Sequence, residues 1–237
     1  CLSMYNGQAR CLSYVLKFML NLNFSDISFA DIKRIAKVSE KGVGGYEWTQ
    51  SQVALSDTEK IYVNEIVSRL LDYETTLMNE ATIWARAIYP LLALAERDNI
   101  QAWAEVPIQA HYPHVELHGI IDGVLSKTVA GLAETPYLVV VEAKRGLEGK
   151  NPRFQLYGEI LATARLNWEN NAQPVQEIFG CYTIGDSWTF IRALIEQIES
   201  ECPIITIEAS REYIEKLEAE TILKILKFII AKYIQTL

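Results

Sequence analysis

The chain has 237 residues, half of them hydrophobic, with twelve tyrosines and a formal net charge of −8. That length and composition exclude a disordered chain and predict a folded globular protein with one sizeable core or two small domains. The acidic total argues against nucleic-acid binding spread over the whole surface, because phosphate contacts need clustered Lys and Arg, but it leaves room for a local basic groove.

In chain order, residues 10 to 22 carry Leu12, Val15, Leu16, Met19 and Leu20 at the spacing of an amphipathic helix. Ser28 with Asp31 forms a capping box that predicts a second helix over Phe29 to Val38. Lys41 to Gly45 reads as a flexible loop, and residues 1–50 together predict a helical N-terminal appendage to a domain over 51–237. Ser56-Asp-Thr-Glu59 is a further capping box, opening a helix to about Tyr73 whose stripe is Ile61, Ile66, Val67, Leu70 and Leu71. Asn79 to Glu96 predicts the next helix, with Ile83, Ala87, Leu91 and Leu94 inward and a kink at Pro90. Ala102 to Ala110 predicts a strand at an edge or with a bulge, since Pro107 lacks an N–H for the ladder.

His118 to Arg145 is the most informative stretch. It reads as two strands, one ending Gly119-Ile-Ile-Asp122-Gly123, the other Tyr137-Leu-Val-Val-Val-Glu142-Ala-Lys144-Arg145. Period-two alternation puts Tyr137, Val139, Val141 and Ala143 on one apolar face and Glu142 and Lys144 on the other. A carboxylate and an ammonium at the end of a Val-rich strand are costly to bury unless paired or binding something. If the strands pair as a hairpin, Asp122 comes alongside Glu142 and Lys144, and two carboxylates beside a lysine suit a hard divalent cation. The plainer alternative is an ordinary ion pair between Glu142 and Lys144, with Asp122 capping a turn.

Asp122, followed about twenty residues later by Val-Val-Glu142-Ala-Lys144, resembles the core motif of the PD-(D/E)XK nuclease superfamily, the restriction-endonuclease-like proteins that include the nuclease parts of type I restriction enzymes. The resemblance implies an α/β (α+β) fold: an αβββαβ core from about Asn79 to Arg192, with a mixed sheet flanked by helices. It implies Mg²⁺ or Mn²⁺ held by Asp122, Glu142 and the Ala143 carbonyl, with Lys144 assisting attack by water on DNA. The first core helix of such proteins often carries a glutamate facing the metal, a place Glu80 matches; its alternative role is a solvent-exposed acid favoured by the helix dipole. Gln155 matches a glutamine common on the helix after the motif. The tyrosine expected four residues on is absent, since Glu159 stands there and Tyr157 is two residues on. Lys144, Arg145, Lys150 and Arg153 face a single acid, Glu148, over this run. Arg145, Lys150 and Arg153 are therefore candidate DNA contacts, or else solvated loop charges.

Pro152 to Arg165 predicts a helix with Phe154, Tyr157, Ile160, Leu161 and Ala164 at helical spacing. Glu177 to Ile184 and Trp188 to about Leu194 predict strands around a Gly185-Asp186 turn, and Pro203 to Glu208 another. A last helix from about Arg211 to Tyr233 has an apolar stripe and Lys224, Lys227 and Lys232 on its polar side, the pattern of a docking helix or a homodimer contact. His111, His114 and His118 have spacings that would suit zinc only on a helix, which Pro113 opposes; His118 is expected to border the Asp122 pocket. Cys1, Cys11, Cys181 and Cys202 form no C-x-x-C pair and read as free thiols in a reducing compartment. With no stretch of membrane-span length, the expected location is the cytoplasm. A relative of the nuclease fold that binds nucleic acid or protein without cutting is the alternative function.

Overall fold

A computed structural model describes residues 19–50, 52–144 and 151–234. Eight strands form one mixed sheet: β1 (Leu20–Asn23), β2 (Lys37–Val43), β3 (Ile100–His111), β4 (Val115–Val129), β5 (Leu132–Lys144), β6 (Val175–Ile184), β7 (Ser187–Glu196) and β8 (Ile204–Ile214). Their order is β1-β4-β5-β6-β7-β8-β2, with β3 on the remaining edge of β4. Helices cover both faces, so both faces of the central strands are buried. One layer holds α2 (Asp57–Leu71), α3 (Glu80–Ile83), α4 (Tyr89–Ala95) and α6 (Glu215–Ile234), and the other α1 (Phe29–Ile35) and α5 (Pro152–Asn171). Val139, Val141 and Ala143 point into the first core, and Val140 into the second.

Local signals set most boundaries. Both capping boxes form: Ser28 with Asp31 at α1, and Ser56 with Glu59 at α2. The buried stripe of α2 is Val63, Ile66 and Leu70, while Ile61 and Leu71 are 59% and 62% exposed. Ile66 and Leu70 of the expected stripe are buried and Val67 packs partly against the same core, whereas Val63, three residues before Ile66, takes the place expected of Ile61. Pro90 does disturb its helix. Its missing N–H and its ring exclude a regular bond to the fourth residue before it, and Trp84–Ile88 forms a π-helical turn closed by Tyr89 N–H on the Trp84 carbonyl.

Three expectations need correction. The helical appendage over 1–50 does not describe residues 19–50, where α1 is the only α-helix. Leu20–Asn23 instead runs parallel to β4, and Lys37–Val43, which includes part of the expected loop, runs parallel to β8. Partners almost a hundred and more residues away override local helical spacing here. Residues 10–18 of the expected first helix, with Cys1, Cys11, Arg145 and Lys150, lie outside the described residues. The face assignment of β5 fails at Tyr137. Leu125 pairs with Val139 but Ser126 pairs with Tyr137, so a bulge at Leu138 inverts the alternation. Tyr137 faces the α5 layer and Leu138 the opposite one. Asn167 of α5 fastens this bulge: its Oδ1 accepts from Tyr137 N–H at 2.8 Å, and its Nδ2 donates to the Tyr137 carbonyl at 2.9 Å. Finally, Arg211–Ile214 belongs to β8, and α6 begins only at Glu215. Among the described residues no helix is long and apolar enough to cross a membrane.

Candidate active site

The site lies where the sheet splits. β3 occupies one edge of β4 over Glu116–Lys127. The other edge is shared: β1 takes Val115–His118 and β5 takes Gly123–Val129. On that edge 119–122 lies between the two partners. The β4–β5 ladder stops at Gly123↔Val141, so the Ala143 N–H lies beyond it, and the Asp122 Oδ2 accepts that N–H at 2.8 Å. This single bond ties the carboxylate of one strand to the backbone between Glu142 and Lys144 on the other.

Around that tie the charged groups converge. Lys144 Nζ stands 2.5 Å from Glu142 Oε1 and 3.9 Å from Glu80 Oε1. Glu142 is fully buried, and its Oε1 meets the ammonium as an ion pair rather than an aligned hydrogen bond. Its Oε2 accepts from Gln155 Nε2 at 2.6 Å; the same amide donates to Glu159 Oε1 at 3.1 Å. Gln155 thus steadies Glu142. Burial, then repulsion by Asp122, pushes the Glu142 carboxyl up to about 7, against the pull of Lys144. Burial likewise raises Asp122, opposed by the Ala143 N–H and Lys144, and it raises Glu80. Burial alone would lower the Lys144 ammonium, but Glu142, Asp122 and Glu80 outweigh it and the net movement is upward.

Two carboxylates held beside one another at a cost, with a backbone carbonyl at Ala143 between Glu142 and Lys144, suit a hard divalent cation. Among the described residues no cluster of three or more His, Cys, Asp or Glu forms a ready cage. Mg²⁺ does not need one, since it is usually held by one or two carboxylates with waters completing the shell.

A cleft of about 490 Å³ opens beside these groups. Glu80, Ala81 and Trp84 line it from the helix, Ala104 and Glu105 from β3, and Asp122 and Ala143 from the central strands. Gly123 lets the indole reach the sheet: a Cβ there would meet Trp84 Cη2 at 2.2 Å. Glu105 falls opposite Asp122, in a gap in the β3–β4 pairing, with a left-handed backbone (φ 52°) unusual for a strand residue.

Asp122, Glu142, Ala143, Lys144, Glu80 and Gln155 are brought together. Arg153 is not among them: its guanidinium is committed to Glu40 at 3.0 Å and to the Tyr157 hydroxyl at 2.5 Å. Tyr157 points the same way, its hydroxyl donating to Glu40 at 3.0 Å, as expected for a residue two places from Gln155 on a helix. His118 does not border the carboxylate cleft; it contacts Asn21 Oδ1 at 2.5 Å beside a separate recess. His111 and His114 pair with Glu116 and Glu201.

Sequence reasoning missed Trp84, Glu105 and Glu159. Glu159 is buried against Gln155 and Glu142, its carboxyl held well above the ordinary range by burial and then by Glu142, and its Oε2 has no hydrogen-bond partner among the described residues. Its i+4 spacing from Gln155 was the available signal. Glu105 and Trp84 carry no comparable mark, because each reaches the site through a non-local approach. No protein-family model matches the chain, and no curated protein is significantly similar to it.

Proposed function

We propose that the chain is a divalent-cation-dependent nuclease of the PD-(D/E)XK type that hydrolyses phosphodiester bonds in DNA. The observation that carries this reading is the tie between Asp122 and the Ala143 N–H, which holds Glu142 and Lys144 beside Asp122 at the parting of two strands. The element order supports it too: a helical segment over 80–95, then β3, β4, β5, α5 and β6, with β5 and β6 parallel, matches an αβββαβ core.

Asp122, Glu142 and the Ala143 carbonyl would hold Mg²⁺ or Mn²⁺. Bound there, the cation lowers the pKa of a water ligand and neutralises charge on the phosphate. Lys144, anchored by Glu142, presents an ammonium that orients the attacking water and stabilises negative charge on the phosphoryl oxygens. Gln155 fixes the Glu142 rotamer, and Glu80 attracts Lys144 from the opposite wall. Water oxygen bonds to phosphorus and gives up a proton to solvent, one P–O ester bond breaks, and the departing oxygen takes up a proton.

The test is incubation of plasmid and linear DNA with Mg²⁺ or Mn²⁺, an EDTA control and the Lys144→Ala variant. Cation-dependent cleavage lost in Lys144→Ala supports the assignment, and cleavage that persists in that variant refutes it. A second reading is a non-cutting nucleic-acid- or protein-binding module; the engagement of Arg153 by Glu40 removes a phosphate contact and so favours its protein-binding form, and cation binding without cleavage would point to that.

A further inference from the structure

We infer that Glu159 is a positioning residue: it fixes the side-chain amide of Gln155 and, through that amide, the Glu142 carboxylate at the proposed cation site. This deepens the nuclease reading and rests on it for the role of Glu142.

The two oxygens of Glu142 have different holders. Oε1 meets the Lys144 ammonium at 2.5 Å, and Oε2 accepts from Gln155 Nε2 at 2.6 Å. That second contact alone leaves the glutamine loosely set. The last torsion of a Gln side chain is broad, without sharp staggered wells, so an amide held by one N–H can rock about it. The amide nitrogen carries two donors. Here both are used, because Glu159 Oε1 accepts from the same nitrogen at 3.1 Å. Two acceptors set the plane of the amide and keep its nitrogen, rather than its oxygen, towards Glu142.

The backbone that carries the pair is itself confined. Gln155 and Glu159 stand one turn apart on α5, the spacing at which helix side chains meet. Leu156, Ile160 and Leu161 beside them are buried, and a Cβ on Gly158 would stand 2.4 Å from Ile27 Cδ1, so the helix lies close against the segment before α1. Thr163 Oγ1 donates to the Glu159 carbonyl at 2.9 Å.

Packing alone gives no reason for a carboxyl at this place. Glu159 is fully buried, and burial, Glu142 and Asp122 all oppose its charge, against the bond from Gln155. Exchanging a buried ionisable group for an apolar one of similar volume is often neutral or stabilising. The carboxyl therefore stands at a cost to the fold, and the orientation of Gln155 is what it provides in return.

The experiment is calorimetric titration of Mn²⁺ into the full chain at pH 8, with urea unfolding of each protein in EDTA. The proteins are wild type, Glu159→Leu, Glu159→Gln, Gln155→Ala and the double variant Gln155→Ala with Glu159→Leu. Loss of a group that hydrogen-bonds a metal-binding carboxylate typically weakens metal affinity about 10- to 100-fold. Glu159→Leu should lose Mn²⁺ affinity within that range, yet unfold at a urea concentration no lower than wild type. Glu159→Gln keeps an oxygen for the Gln155 N–H and should retain most of the affinity. The double variant should bind no more weakly than Gln155→Ala, because both changes act through one amide. Undiminished binding by Glu159→Leu, equal losses in Glu159→Leu and Glu159→Gln, or additive losses in the double variant overturns the inference. So does a Glu159→Leu chain less stable than wild type, which would give the carboxyl a role in the fold. Wild type that binds no Mn²⁺ at all overturns the cation reading beneath it, a distinct result.

Discussion

Glu215 gives a prediction that is independent of the active site. It stands at the junction of β8 and α6, fully buried, with Oε2 accepting from Trp188 Nε1 at 2.7 Å and Oε1 without a hydrogen-bond partner among the described residues. Burial, only partly opposed by the Trp188 bond, pushes its carboxyl from 4.5 up to about 8, and Asp186 adds to the rise. Asp186 is itself engaged by the Thr75 hydroxyl at 2.9 Å and by Lys216 at 3.9 Å. Below pH 4.5 folded and unfolded chains both hold the proton, and the group is neutral towards stability. Between 4.5 and 8 the unfolded chain releases it first, so stability falls as pH rises, and above 8 the loss is complete. At 1.36 kcal/mol for each pH unit, the full loss is about 5 kcal/mol, a large share of a typical domain's 5–15 kcal/mol. Glu215→Gln removes the titration. Near pH 5 the variant should be less stable by about 1–2 kcal/mol, because its amide N–H groups lack an acceptor. At pH 9 it should be the more stable by several kcal/mol. Urea unfolding of both proteins at pH 5, 7 and 9 measures this. A difference between them that stays constant across that range would refute the reasoning.

Other changes test the packing that builds the site. Gly123→Ala drives a methyl into Trp84 and should cost about 1–3 kcal/mol by urea unfolding, since the indole is confined between helix and sheet. Asn167→Ala strips the Tyr137 backbone beside the Leu138 bulge of both its side-chain bonds, leaving a buried N–H and C=O unpartnered; about 2–4 kcal/mol should be lost, without change in the pH dependence. Asp122→Asn retains an oxygen for the Ala143 N–H but removes the charge that opposes Glu142. In EDTA at pH 8 its Tm should equal or exceed that of wild type, while added Mg²⁺ should no longer raise it.

The legible parts of this molecule were those encoded over short distances. Ser28-Asp31 and Ser56-Glu59 announce helix starts because the capping bonds lie within four residues. Asp122 and Glu142-Ala-Lys144 could be joined because consecutive strands pair as a hairpin, although two register shifts between Leu125 and Lys127, with no mark in the sequence, set which residues meet. Gln155 was readable as a partner of the site, though its bond to Glu142 was not. The illegible parts depend on distant partners. Nothing in Leu20–Asn23 shows that it will pair with Val115–His118, so local spacing suggested a helix. The inversion at Leu138 needs Asn167 from another element. Arg153 looked free for phosphate until Glu40, more than a hundred residues away, was found against it.

The central claim, that Asp122 and Glu142 hold a divalent cation beside Lys144, is tested most directly by calorimetric titration of Mn²⁺ into wild type, Asp122→Asn and Glu142→Gln at pH 8. The account predicts saturable binding by wild type and its loss in each variant. Binding of undiminished affinity in either variant would contradict it.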